Sequence, residues 1–271
     1  MASEPPRSPE ARAKAEEALT ELVKRLGQAS ERLVLIGGLV PQLLALPVQD
    51  AQAHIGTLDI DFGVFPRVDS YAEVESALSE LGWAPQEPSW RWRRGQGAEG
   101  LTIEFLCDRD DVANETAVQL PGCRQLFALN LRGAGFAAIP WTDASVGEGG
   151  NRPPTMPVAS LEAYLLMKAY TITTRGRDKD HYDFVYVLIF NEAGGPKGAA
   201  VRVLANKSLP SPRDMTHIWR EVGRRFERPD QFGPIEYAKQ AVQANPGLDE
   251  ATLRNDACSA VSVFLKALSA D

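Results

Sequence analysis

A chain of 271 residues, 44% hydrophobic and 24% charged, has enough apolar material for a substantial core and is expected to fold as two lobes. Its net charge of −7 argues against broad non-specific binding to nucleic acid, leaving room for no more than a local basic patch. No apolar run approaches the roughly 18 residues that span a bilayer, and the polar N-terminal stretch does not read as a secretory signal, so no membrane partner is expected. Three cysteines (Cys107, Cys123, Cys258) without paired spacing argue against a disulfide framework and make a reducing cytoplasm the default location. The three histidines, His54, His181 and His217, are too scattered to suggest a zinc site.

Residues 1–8 read as a disordered lead-in. Apolar residues at helical spacing (Ala15, Leu19, Leu22, Val23, Leu26) predict an amphipathic helix over 9–28. Leu33–Ile36 reads as a short buried strand, followed by Gly37-Gly38 and an apolar helical stretch over 39–46 whose Pro41 suits a first turn. A second strand is predicted over 58–65 and a helix over 70–81, with Ser70 as N-cap and Gly82 just beyond its end. The runs 90–94 and 101–107 read as a hairpin, and 136–139 as a further strand. The stretch 143–157, rich in Gly, Pro, Asn and Ser, is the expected boundary. Beyond it, helices are predicted over 158–174, 179–191, 212–226, 234–244 and 249–269. The expected class is α+β: a domain over 1–155, then a mainly helical domain over 156–271.

The chemistry concentrates around Gly37-Gly38 and the sequence Thr57-Leu58-Asp59-Ile60-Asp61. A strand alternates its side chains, so Asp59 and Asp61 share one face while Ile60 and Phe62 take the other. Two carboxylates this close repel, and both stay ionised most easily around a divalent cation. The Gly-Gly turn offers backbone N–H groups to an anion. A metal site beside a phosphate cradle points to chemistry on a nucleoside triphosphate, where two ions roughly 3.5–4 Å apart neutralise phosphate charge and activate an attacking hydroxyl. A third carboxylate is expected from a neighbouring strand, and Glu104, the one charge in Leu101–Cys107, is the candidate. Each feature has a plainer alternative: a solvated edge strand for the two aspartates, a tight turn for the glycines, a salt bridge for Glu104. Their ordered combination is more specific than any member.

The order strand, Gly-Gly, short helix, Thr-x-Asp-x-Asp and a later strand acid resembles the nucleotidyltransferase superfamily with the polymerase-β-like palm. The segment LEAYLLMKAYTITTRGRDKDHYDFVYVL (161–188) resembles the Lys…Arg…Lys-Asp-x-x-Asp run of the AbiEii-type nucleotidyltransferase toxins, a branch that includes the MenT toxins. The resemblance covers roughly residues 30–190 and implies a palm-like mixed sheet with flanking helices. It implies that Gly37, Gly38 and Thr57 belong to the nucleotide site, with the helix after the glycines adding its dipole. It further implies that Asp59 and Asp61 hold Mg²⁺ or Mn²⁺, with Glu104 as third acid, and that Lys168 neutralises phosphate charge while Asp180 completes the site. His54 stands near a position that is often basic in the family. An NTP substrate, an RNA acceptor such as the tRNA 3′ end and a cognate antitoxin protein are implied by the same resemblance. The alternatives are a small-molecule or protein acceptor, or a nucleotide-binding module without turnover.

Read without the resemblance, Lys168 lies on a strongly apolar helix, where most lysines snorkel to the surface. Asp180 reads equally as the N-cap of the next helix, and Asp183 as a structural acid orienting a neighbouring Arg or Lys. SWRWRR (89–94) mixes aromatics and arginines as single-stranded RNA sites do, although tryptophans in a core with arginines outside is favoured. A second basic cluster (Arg213, Arg220, Arg224, Arg225, Arg228) reads as a solvated helix face.

Overall fold

In the computed structural model the described residues are 7–45, 52–64, 68–87, 90–97, 100–138, 141–146, 154–176 and 178–269. The chain divides into two units, Met1–Val40 with Gly56–Ala159, and Pro41–Ile55 with Ser160–Asp271. The second unit thus includes the segment 41–55, which lies before the Asp-x-Asp strand in the chain.

The first unit is α+β. Helix α1 (Pro9–Leu26) is N-capped by Ser8, whose hydroxyl accepts from Ala11 N, and stops at Gly27, where a 3-10 turn (Gly27–Arg32) takes over. The sheet has the order β3-β4-β5-β2-β1-β9-β8, with β1 Leu33–Ile36, β2 Asp59–Val64, β3 Ala84–Pro85, β4 Arg91–Arg94, β5 Leu101–Cys107, β8 Trp141–Ser145 and β9 Thr155–Ala159. β6 (Ala117–Gln119) and β7 (Phe127–Asn130) pair with one another, and β7 joins β5. The sheet is mixed: β2 runs antiparallel to β1 and parallel to β5. α3 (Ala72–Glu80) packs against α1, and α1 against β2. Ile60, Phe62, Trp92, Ile103 and Phe105 are fully buried, so one face of β2, β4 and β5 belongs to the core.

Three expectations for this unit are corrected. α3 begins at Ala72, because the Ser70 hydroxyl accepts from Ala72 N in a local turn and does not cap the helix. The stretch at 136 is part of a 3-10 turn, Ala134–Ala138, while Ile139 lies outside the described residues. The expected boundary stretch is in strand at its described ends: Asp143 faces Pro157 in the antiparallel β8–β9 pair, and β9 adds to β1 in parallel. The division between units therefore falls after Ala159. Composition misled here because a Pro-containing strand such as β9 is tolerated where local pairing does not need the missing N–H. β3, β6 and β7 are too short to leave a period-two signal.

The second unit is helical: α4 (Leu161–Thr174), α5 (Asp178–Phe190), α6 (Pro196–Ala205), α7 (Thr216–Arg225), α8 (Phe232–Ala244) and α9 (Glu250–Leu268). Ser160 and Asp249 cap α4 and α9 with their side chains. α6 was not anticipated. α9 packs on α5, α6, α7 and α8, and its Phe264 ring meets Phe184 and Trp219 edge-on. α4 and α5 are buried almost all round, which explains their weak apolar periodicity. Among the described residues no helix is long and apolar enough to cross a membrane.

Candidate functional site

The first unit brings its acids together on one strand pair. β2 is interior, so the Asp-x-Asp is not an edge-strand feature. Asp59 and Asp61 are half-buried while Ile60 and Phe62 are buried, the alternation read from sequence. The parallel register sets Asp59 beside Thr102 and Asp61 beside Glu104 on β5. On the other side Asp61 pairs with Ile36, the last residue before Gly37.

That register explains the first glycine. Gly37 has φ +77°, and a Cβ built on it would lie 1.8 Å from Asp61 Oδ2 and 2.6 Å from its Cγ. The Asp61 carboxylate therefore rests against the Gly37 backbone in space that any side chain would fill. Gly38 is less constrained: a Cβ there would stand 3.0 Å from Thr57 Cγ2. Thr57 itself is buried, and its Oγ1 accepts from Asp59 N at 3.0 Å, fixing the entry into β2. Gly37 and Gly38 open a three-residue 3-10 turn, Gly37–Leu39, which leads into α2 (Val40–Leu44), only five residues long. The dipole expected from a helix at this point is correspondingly small.

Glu104 takes up the salt-bridge alternative. Arg91 on β4 lies opposite it, and Arg91 Nε donates to Glu104 Oε1 at 2.6 Å. Among the described residues no group of three or more His, Cys, Asp or Glu side chains could hold a metal ion. Asp59 and Asp61 still fit Mg²⁺, which commonly takes one or two protein carboxylates and completes its shell with water and substrate phosphate oxygens.

The aromatic–basic strand resolves toward its bland alternative. Trp92 is fully buried in the core. Arg93 donates to Gly97 O, and Arg94 pairs with Glu21 and lies 4.9 Å over the Trp83 ring. In the second unit Arg224 and Arg225 pair with Glu221, and Arg228 with Asp230.

The second unit gathers a different constellation. Lys168, on α4, is 5% exposed, so the expected snorkelling does not occur. Its ammonium donates to Asp180 Oδ1 at 2.8 Å and to Asp183 Oδ2 at 2.9 Å, both on α5. Burial alone would lower the lysine pKa, but Asp180 and then Asp183 reverse this and hold it well above its ordinary value. Lys168 is therefore a fixed cation. Asp180 is the third residue of α5, so it sits in the first turn and is not the N-cap. Its Oδ2 is buried and has no hydrogen-bond partner among the described residues. Asp183 orients Lys168, as the sequence suggested, and also accepts from His54 Nε2 at 3.1 Å. His54 is 0% exposed, between Tyr182 and Tyr186 with ring centroids 5.0 and 4.9 Å away.

Sequence reasoning missed two partners. Nothing in the spacing pairs His54 with Asp183, 129 positions away. Arg91 opposite Glu104 would have emerged from the hairpin register, had the loop length fixed it.

No protein-family model matches this chain, and no curated protein sequence matches it.

Proposed function

We propose that the protein is a metal-dependent nucleotidyltransferase that moves an NMP group from an NTP to an acceptor hydroxyl and releases pyrophosphate. The observation that carries this reading is the placement of Asp61 against the backbone of Gly37, with Asp59 on the same face of β2. The sheet would then serve as a palm of the polymerase-β type. Asp59 and Asp61 would hold Mg²⁺ or Mn²⁺, an ion that when bound neutralises triphosphate charge and activates the attacking hydroxyl. Gly37 and Gly38 are assigned to the triphosphate, as the resemblance implies, while Thr57 keeps the two aspartates in register. Lys168, held as a cation by its two aspartates, is assigned the neutralisation of phosphate charge, and Asp180 the second-lobe acid, as the resemblance implies. Glu104 is assigned no direct role while Arg91 holds it.

The resemblance to AbiEii-type toxins supports an RNA acceptor, such as the tRNA 3′ end, and a cognate antitoxin in the cytoplasm. A small molecule or a protein side chain as acceptor is the second reading. It is favoured by the internal partners of Arg91, Arg93 and Arg94, which commit the basic strand within the protein.

The deciding experiment incubates the protein with each α-labelled NTP, Mg²⁺ or Mn²⁺, and total cellular RNA, beside Asp59→Ala and Asp61→Ala. Label on RNA or on protein from the wild type, lost in both variants while their circular dichroism is unchanged, is the expected result. Undiminished transfer by either variant overturns the assignment.

A further inference from the structure

The backbone around His54 is tied down residue by residue. Tyr186 Oη donates to Gln52 O at 3.0 Å. Asn245 clamps Ala53 from both sides, its Oδ1 accepting from Ala53 N at 2.9 Å and its Nδ2 donating to Ala53 O at 3.0 Å. Ile55 N donates to Tyr182 Oη at 3.1 Å. Four successive residues are thus anchored to α5 or to the residue just after α8, and the anchored stretch presents one imidazole to one carboxylate.

That carboxylate has two jobs. Asp183 Oδ1 accepts a hydrogen bond from His54 Nε2, and Oδ2 accepts one from the Lys168 ammonium. With both oxygens engaged from different directions, the carboxylate plane cannot turn without breaking a bond in a site where water offers no substitute. Lys168 has three N–H donors, and Asp180 and Asp183 occupy two. The direction of the third is then set by Asp180 and Asp183 together, and the orientation of Asp183 is set by His54. A buried lysine needs one counter-ion to be satisfied in charge. A second carboxylate, itself oriented by a pinned imidazole, adds direction.

The geometry points to His54 as a positioning residue that acts through Asp183 to aim the Lys168 ammonium, a role that rests on the nucleotidyltransferase reading of Lys168. His54 does not touch the substrate in this account. Removing it leaves Lys168 charged, buried and paired with Asp180, while Asp183 loses the hydrogen bond that fixes its orientation.

Two readouts test this on the full chain. The first is the ¹⁵Nζ signal of Lys168, assigned by its loss in Lys168→Arg and recorded without substrate. The second is label transfer from the α-labelled NTP, measured well below the lowest melting temperature of the variants. His54→Ala is expected to broaden or shift the Lys168 Nζ signal. It is also expected to lower kcat and kcat/KM together by about 10–100-fold, the usual effect of losing a group that orients a functional residue. His54→Gln, whose amide can donate to Asp183, is expected to restore both readouts in large part. If His54→Ala does not fold, His54→Leu, which fills the space without a hydrogen-bond donor, replaces it with the same expected Nζ change. An unperturbed Lys168 Nζ signal in these variants, with kcat kept and only the melting temperature lowered, overturns the inference and leaves His54 a packing residue. A wild type that transfers no label overturns the nucleotidyltransferase reading instead, and the Nζ comparison still decides whether His54 aims Lys168.

Discussion

Replacing Gly37 by alanine separates the two demands made on that position. The first is conformational: φ is +77°, where an L-residue costs about 1–2 kcal/mol relative to glycine. The second is steric, because the new Cβ would lie 1.8 Å from Asp61 Oδ2, with Cγ at 2.6 Å and Cβ at 2.8 Å. Asp61 must then leave its rotamer, which adds about 0.5–1.5 kcal/mol. Gly82 is the natural control, having the same φ of +77° and nothing within 4 Å of a built Cβ. Urea denaturation is expected to show a loss of about 1–2 kcal/mol for Gly82→Ala, and about 1.5–3.5 kcal/mol for Gly37→Ala once the rotamer cost is added. Label transfer should be near wild type in Gly82→Ala and fall about 100-fold or more in Gly37→Ala, since a displacement of about 1 Å in a reacting group has that effect. Equal destabilisation of the two variants, or full activity in Gly37→Ala, would refute the claim that this glycine exists to admit the Asp61 carboxylate.

Lys168→Met is expected to destabilise the protein by about 3–5 kcal/mol in urea at pH 7, because it removes the cation that balances the buried Asp180 and Asp183; a loss below about 1 kcal/mol would contradict the arrangement. Burial pushes the Cys107 thiol up to about 11 and the Cys123 thiol to about 12. A thiol in the unfolded chain ionises near ~8.5, so this contribution to stability is fully present below that pH and is lost as pH rises through the folded values. The urea midpoint should therefore fall between pH 8.5 and 11 more steeply in wild type than in the Cys107→Ala, Cys123→Ala double variant, and parallel slopes would refute it.

Period-two alternation in β2 and β5 was legible because it depends only on the geometry of an extended chain, and burial of Ile60, Phe62, Ile103 and Phe105 obeys it. The Leu33–Ile36 strand is bounded as its apolar run and the glycines after it imply. β8 and β9 were not legible, since they flank and overlap a stretch whose composition reads as a domain boundary until β9 is seen paired with β1. Helix α5 was expected but its start was not, and that shift moves Asp180 from cap to first turn.

Local chain geometry alone determined that Asp59 and Asp61 share a face and that the chain passes from a region with strands to a mainly helical one. That Lys168 and Asp180 belong to one site was implied by the family resemblance alone. Tertiary structure decided which partner each charge meets. Strand register gave Glu104 to Arg91 and pressed Asp61 onto Gly37, and the packing of 52–55 on the helices brought His54 to Asp183. Those outcomes depend on contacts between residues far apart in the chain, where no local periodicity carries the information. The energy that selects them is the cost of burying a charge or a polar group without a partner.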